Sequence, residues 1–306
     1  MPEFEWQFTF VLLTNGVMIG LMYALIALGF VLIYKATDAI NFAQGEFVMF
    51  AGFLTAGAAE IAGFPFWASA LLAICAMIAL GFGLERVVLR PMIGRPVIAV
   101  VMATIGLANV LRGTATMAFG AGTRVIDMPI SDEPIDLGLV TVPPIQLLGA
   151  GVSLVFLAAF TWFFLRSRVG IAMRAVADSQ QVAMAVGIDV RRYFALAWAM
   201  AGIVSALGGV VWGAMLSVDN QLALVGLKVF PVVILGGLDS VIGAVVGGLI
   251  VGVTENLAAG YLDPYVGGRR CPRAGSSGPG SSGGTGRNPW YRRRHRGRDT
   301  RPPDFL

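Results

Sequence analysis

Long apolar runs constrain this chain more than any other feature of its sequence. A helix that crosses the hydrocarbon core of a bilayer needs about 20 predominantly apolar residues. Runs of that length lie near 8–34, 43–61, 64–84, 97–119, 144–165 and 193–217. Two more, 226–237 and 241–259, are separated by Gly236, Gly237 and Asp239, and 226–237 is short enough to predict a half-helix or re-entrant element. We therefore expect an all-α polytopic transmembrane helical bundle of about eight crossings, with a broken or short helix pair.

Composition agrees with lipid as the solvent. Hydrophobic residues make up 57% of the chain and charged residues 13%, about half the share usual in soluble domains. Residues 1–268 carry 12 Lys+Arg and 16 Asp+Glu, a net charge of −4, whereas residues 269–306 carry 10 Arg and 2 Asp, a net charge of +8. The basic balance therefore belongs to the tail and does not indicate nucleic-acid binding by the body.

The distribution of arginine and lysine between the runs predicts the orientation. Lys35 follows the first run, three arginines lie in the link 85–96, and five lie in the link 166–192. Because cytoplasmic links are enriched in these residues, these three are expected inside and the N-terminus outside. The acidic link 120–143 is then expected outside, as alternation along the chain requires.

The link 166–192 has the signals of a short capped helix. Asp178 or Ser179 can cap a helix from Gln180 to Val186, and Gly187 can end it. One interpretation is a docking element for a soluble partner. The other is an ordinary connection held at the inner face by lipid charge.

Three stretches carry a resemblance to a known family. Residues 181–187, QVAMAVG, resemble the Glu-Ala-Ala-x-x-x-Gly signature of ATP-driven importer permeases, with Gln181 and Val182 where Glu and Ala are usual. The stretches 20–53 and 226–257 look like the opening and closing parts of LivH-type branched-chain amino acid permeases. The resemblance covers residues 8–268.

The resemblance implies a function and a set of partners. It implies a multi-pass permease subunit in the bacterial cytoplasmic membrane that imports branched-chain amino acids, or alternatively other amino acids, amides or urea. It would pair with a second homologous permease subunit, two ATP-binding subunits and a periplasmic substrate-binding protein. The coupling helix would involve Gln181, Ala183, Gly187 and Ile188. No cofactor and no covalent chemistry are expected.

Polar side chains inside apolar runs are candidates for the pathway, because each costs free energy to keep at membrane depth. The candidates are Asn41, Gln44, Glu46, Asn109, Asp239 and Glu255. Glu46 could instead reach interfacial water, and Asp239 could belong to a plain turn. Arg112 shares a face with Asn109 and could simply snorkel to the outer interface.

Other function classes fit the sequence less well. The tail segment 278–285, GPGSSGGT, has Gly284 where a phosphate-binding loop needs lysine, so no ATPase site is predicted. Residues 1–268 contain no histidine, which excludes histidine-based hydrolysis there. An ion-coupled secondary transporter and a scaffold subunit stay open as alternatives. Neighbouring genes for an ATPase and a secreted binding protein would favour the importer.

Small residues four apart recur within the runs. Such pairs let helix backbones approach closely in lipid and predict a tight bundle, either as ordinary packing or as surfaces that slide. The pairs are Gly16/Gly20, Gly209/Gly213, Gly243/Gly247 and Gly248/Gly252.

The tail 269–306 differs in character from the permease domain 1–268. It is dense in Arg, Gly, Pro and Ser and cannot build a core. The resemblance leads to the expectation of a last apolar span here, and eight crossings would place the +8 tail outside, against the charge bias. We hypothesise a frameshift after about Gly268. The alternative is a genuine disordered basic extension.

Overall fold

The computed structural model describes residues 2–92, 95–130, 133–136, 138 and 140–266. Its helices are α1 (Pro2–Thr37), α2 (Gln44–Ala62), α3 (Phe66–Leu84), α4 (Val97–Phe119), α5 (Pro144–Arg166), α6 (Arg168–Asp178), α7 (Gln180–Ala185), α8 (Val190–Leu216), α9 (Leu224–Gly236) and α10 (Val241–Val266). A π-helical turn (Glu85–Leu89) and a 3₁₀ turn (Arg90–Met92) prolong α3, and a 3₁₀ turn (Asn220–Ala223) precedes α9. Strands β1 (Ile135–Asp136) and β2 (Thr141–Val142) pair antiparallel.

The predicted helical bundle is confirmed. Seven helices of the described residues are long and apolar enough to cross a membrane. The expected short element is also present, as the 17-residue apolar segment Asn220–Gly236. Because α9 itself has 13 residues, it is about 20 Å long and cannot span the hydrocarbon alone.

The long helices differ in how much of their surface the bundle covers. In α1 83% of the most apolar window is buried, and in α8 78%, against 22% in α3 and in α4. Helices α1 and α8 therefore form the centre. The outer helices expose large apolar side chains, such as Met117 at 90% and Trp162 at 70%, as lipid-facing helices do.

The glycine stripes of α1 and α10 face each other. A Cβ added to Gly20 would lie 2.7 Å from the carbonyl oxygen of Gly248, and one added to Gly248 would lie 2.6 Å from that of Gly20. Gly16 and Gly252 meet one turn further along. The predicted tight packing is thus backbone against backbone, antiparallel, between the first and last described helices.

The three basic links lie at one end of the bundle. Lys35 and Arg174 both approach the ring of Phe164, the turn after α3 packs against α8, and Leu89 of that turn belongs to the same hydrophobic cluster as Ile33 near the end of α1. At the other end, Arg124 forms an ion pair with Glu60. The described parts of the acidic link 120–143 therefore lie at the end expected to face outward.

Residues up to Tyr265 form one compact unit. Residues 267–306 lie outside the described residues. The hypotheses of a disordered tail or a frameshift after Gly268 concern that part and stay predictions.

Candidate functional site

The inner link folds into two short capped helices. Ser167 begins α6, and its hydroxyl accepts a hydrogen bond from the Gly170 amide at 2.9 Å. Ser179 begins α7 in the same way, accepting from the Val182 amide at 3.3 Å. The predicted cap at Ser179 is confirmed. Helix α6 was not predicted, although Ser167 is a capping residue that signals it.

Gly187 ends α7 in a Schellman motif. Its φ is +86°, its amide donates to the carbonyl of Met184 at 3.0 Å, and the Ile188 amide donates to that of Ala183 at 2.9 Å. The left-handed conformation favours glycine, so the position predicted to end the helix does so for a backbone reason.

Helix α7 exposes apolar side chains on both flanks of the buried Ala183. Val182, Met184 and Val186 are exposed by 62%, 57% and 73%, whereas Ala183 is buried at 2%. Of the predicted coupling residues, Gln181 and Gly187 are exposed and Ile188 is half-buried. Ala183 therefore anchors α7 to the body, and the surface available to a partner includes Val182, Met184 and Val186, which were not among the predicted coupling residues.

The link is held against the membrane helices by Phe164. The ammonium of Lys35 on α1 lies 5.8 Å from the ring centroid, and the guanidinium of Arg174 on α6 lies 5.6 Å from it. Both distances fit cation–π contacts. Gly170 of α6 packs onto the backbone of Phe164 too closely for a Cβ. Phe164 therefore connects the link to α1 and α5.

Helix α2 begins deep in the bundle. The Gln44 side chain lies against Gly29, eight residues or about 12 Å from the end of α1. Residues 38–43 form non-helical backbone, and Asp38 adopts φ +54°. Non-helical backbone at membrane depth is tolerated only where protein or water covers it. Ala39, Asn41 and Ala43 are accordingly buried.

The side chains of Asn41 and Gln44 form hydrogen bonds in this buried non-helical segment. The Asn41 side chain accepts from the Ala43 amide at 3.1 Å and donates to Gln44 at 3.4 Å. Gln44 in turn donates to the Ser205 hydroxyl on α8 at 3.0 Å. Asn41 precedes α2 rather than sharing its helical face with Gln44, and both side chains are fully buried. They shape the backbone and do not line an open surface.

Glu46 pairs with Arg112. The guanidinium of Arg112 donates to Glu46 Oε1 at 2.7 Å, about 22 Å along α4 from Val97. The Glu46 side chain is 10% exposed and that of Arg112 45%. The two charges therefore compensate each other within the bundle, a pairing that the sequence did not predict.

Glu255 belongs to a second charged cluster. It accepts a hydrogen bond from the Tyr23 hydroxyl at 2.8 Å and one from the Lys228 ammonium at 3.0 Å. Tyr23 stacks on Trp212 with centroids 5.2 Å apart, which joins the cluster to α8. Lys228 was missed, although it is the charged residue within the apolar stretch 226–237 and the rule for intramembrane charges would have found it.

The other two candidates lie apart from these clusters. Asn109 is exposed on α4, where its side chain donates to the Ile105 carbonyl at 3.0 Å. Asp239 lies exposed in the turn between α9 and α10, where Ser240 caps α10 by accepting from the Gly243 amide at 2.9 Å. The structure does not bring Asp239 near Glu255, and its geometry is that of the plain turn.

Partly exposed charges at these positions need a polar or protein environment. The side chains of Arg112, Lys228 and Glu255 are 45%, 59% and 40% exposed. A charge at the bilayer centre costs about 2.5–3.5 kcal/mol on insertion scales. The charged side chains of α4, α9 and α10, called here the charged face, therefore suit a partner subunit or a water-filled path better than lipid.

Comparisons with known proteins identify the family of the chain. The profile of the family described as branched-chain amino acid transport system, permease component, matches residues 12–268. The chain is 31% identical over 267 residues to the high-affinity branched-chain amino acid transport permease LivH of Salmonella typhimurium, covering 81% of this chain and 85% of that protein. It is 28% identical over 261 residues to BraD of Pseudomonas aeruginosa, with the same coverage. Among solved structures, PsaBC from Streptococcus pneumoniae in complex with Fab gives a TM-score of 0.47 at 14% identity, covering 84% of each chain.

The apolar helices and the family match define a multi-pass permease subunit of a transporter in the inner membrane. The chain belongs to the family of permease components of branched-chain amino acid transport systems.

Proposed function

We propose that this subunit imports branched-chain amino acids together with a related permease subunit, two ATP-binding subunits and a periplasmic binding protein. The chain itself hydrolyses no ATP and supplies the wall of the path. The names of the relatives support the substrate class. The exposed apolar surface of α7 supports an energy source outside the chain.

The observation that carries the proposal is the construction of α7. It presents Val182, Met184 and Val186 to solvent, at a cost in exposed apolar area that a docked partner would remove. Ala183 and the Phe164 contacts hold the link to the membrane helices. Closure of two ATP-binding subunits would then displace the link as one piece and shift α1 and α5 with it.

The path is proposed to run along the charged face of α4, α9 and α10. Glu46 and Glu255 supply its carboxylates, and Arg112 and Lys228 compensate them. Asn109 lies on the same helix as Arg112, one turn away. Asn41 and Gln44 contribute by holding the break before α2, and Asp239 by its turn.

A charge introduced on the exposed side of α7 tests the docking surface. Val182→Asp and Met184→Asp are expected to reduce co-purification of the ATP-binding subunit and ATP-driven uptake about tenfold or more, since a buried unpaired carboxylate costs more than the 1.4 kcal/mol of one decade. Val125→Asp is the matched control, because Val125 is 65% exposed at the opposite end. Co-purification of the ATP-binding subunit with the Val125→Asp variant is expected to be unchanged. Intact assembly with unchanged uptake in both α7 variants would overturn the coupling role.

An ion-coupled secondary transporter is the second candidate. Charged groups within the bundle favour it, yet each carboxylate is compensated by a cation. Reconstitution of this chain alone in liposomes separates the two. Uptake driven by an ion gradient would support the alternative, and uptake that requires the ATP-binding subunits supports the importer.

A further inference from the structure

A recess lies beside the beginning of α2. It has a volume of about 80 Å³, room for a small polar group rather than for a whole amino acid. Its lining includes Phe30, Phe42, Phe230, Leu227, Glu46 and Arg112. Phe42 and Phe230 contact each other with ring centroids 5.8 Å apart, and Leu227 is 64% exposed at the rim. One wall is therefore charged and the others are aromatic or aliphatic.

The charged wall keeps unused capacity for hydrogen bonds. A guanidinium has five N–H donors, and the contact with Glu46 engages one nitrogen of Arg112. Glu46 accepts through Oε1, and a carboxylate offers about four lone-pair sites. The pair can thus bind a second carboxylate and an ammonium without losing its own charge balance.

Two helices also begin at this recess. Gly45 in the first turn of α2 and Gly226 in the first turn of α9 approach backbone to backbone, since a Cβ on Gly226 would lie 2.5 Å from the Gly45 Cα. Helix N-termini carry partial positive charge. Together with Arg112 they favour an anionic group, and Glu46 supplies the opposite charge nearby.

We propose that Glu46 and Arg112 recognise the zwitterionic head group of the amino acid as it passes this recess. Arg112 binds the α-carboxylate and Glu46 binds the α-ammonium, while the side chain rests on Phe42 and Phe230. This inference rests on the proposed function, whose path it makes specific. The head group uses the unused donors and lone pairs while the contact between Glu46 and Arg112 is retained, which permits weak, reversible binding of the kind a transit site needs.

A cysteine at the rim reports occupancy directly. In the assembled transporter with Cys75 and Cys271 replaced by serine, Leu227→Cys is modified with a water-soluble thiol reagent. Millimolar L-leucine is expected to slow the modification about tenfold. Leucinamide, which lacks the carboxylate, and 4-methylpentanoate, which lacks the ammonium, are expected to leave its rate unchanged.

Charge removal then assigns the effect to the pair. Glu46→Gln in the Leu227→Cys background is expected to abolish protection by leucine and to lower uptake about tenfold. Glu60→Gln is the matched control, because Glu60 on the same helix α2 pairs with Arg124 away from the recess. The Glu60→Gln variant is expected to retain both the protection by leucine and the uptake. If Glu46→Gln does not assemble, Glu46→Gln/Arg112→Gln replaces the ion pair by a neutral pair and must lose protection as well.

The outcomes separate this inference from the function on which it rests. ATP-driven leucine uptake with no protection of the introduced thiol, with equal protection by either single-charge analogue, or with protection preserved in the neutral variants overturns the head-group site alone. Absence of ATP-driven uptake in the unmodified complex overturns the proposed function.

Discussion

The hydroxyl of Tyr23 on α1 donates to the carboxylate of Glu255 on α10 at 2.8 Å, and so joins the first and last described helices through a polar contact. The same two helices pack glycine against glycine. A directional hydrogen bond thus fixes the register of an interface whose backbone packing alone would tolerate sliding.

The cluster around Glu255 is expected to behave as a unit. Glu255→Met leaves the ammonium of Lys228 uncompensated, and Lys228→Met leaves the carboxylate with Tyr23 alone. Each is expected to destabilise the complex by about 1–3 kcal/mol, whereas the double variant recovers most of the loss. Thermal denaturation in nanodiscs measures the stability of the single and double variants. Asp189→Asn, in a pair whose side chains are 83% and 49% exposed, is the control and should change little. Additive losses in the double variant would contradict a coupled cluster.

The crossing of α1 and α10 is expected to reject added volume. Gly20→Val places carbon atoms against the backbone of Gly248 and is expected to cost about 1–3 kcal/mol or to prevent assembly. Gly151→Ala on α5 meets open space and is expected to be neutral or stabilising by up to about 1 kcal/mol. The stabilities of the two variants are compared by the fraction of protein that remains monodisperse after heating. Equal behaviour of the two variants would argue against the close crossing.

Removal of the Phe164 ring is expected to loosen the inner link. Phe164→Leu loses two cation–π contacts, worth about 0.5–1 kcal/mol each at exposed sites. Uptake should fall and limited proteolysis within α6 should accelerate, with the membrane helices still assembled. Phe163→Leu removes a phenyl ring one residue away that makes neither cation–π contact, and it should leave the rate of proteolysis within α6 unchanged. Faster cleavage in both variants would point to general loss of packing instead.

The end of α7 is expected to depend on backbone conformation at Gly187. Gly187→Ala finds space for its Cβ but must adopt φ +86°, which costs about 1–2 kcal/mol. Gly187→Asn should be milder, because asparagine tolerates this region. ATPase stimulation by the loaded binding protein should rank glycine above asparagine above alanine. Gly122→Ala, equally unhindered but without a positive φ, is the control. An alanine variant as active as the parent would show that the motif is dispensable.

The sequence alone was sufficient for the features that depend on neighbouring residues. Apolar run length predicted the long helices, because each helix satisfies its own backbone in lipid. Ser179 and Gly187 predicted the ends of α7, because capping involves groups within a few residues. The positions of arginine and lysine predicted which helix ends lie at the same end of the bundle.

Only the tertiary structure decided how distant polar residues pair. Glu46 and Arg112 are 66 positions apart, and Tyr23 and Glu255 are 232 apart. Their meeting depends on the depth at which α2 begins and on the register of α1 against α10, which no local pattern encodes. For the same reason the exposed apolar side chains of α7 were identified only once the burial of Ala183 was known. Helix formation is governed by short-range hydrogen bonds, whereas the position of a charge within the bundle is set by packing between helices far apart in the chain.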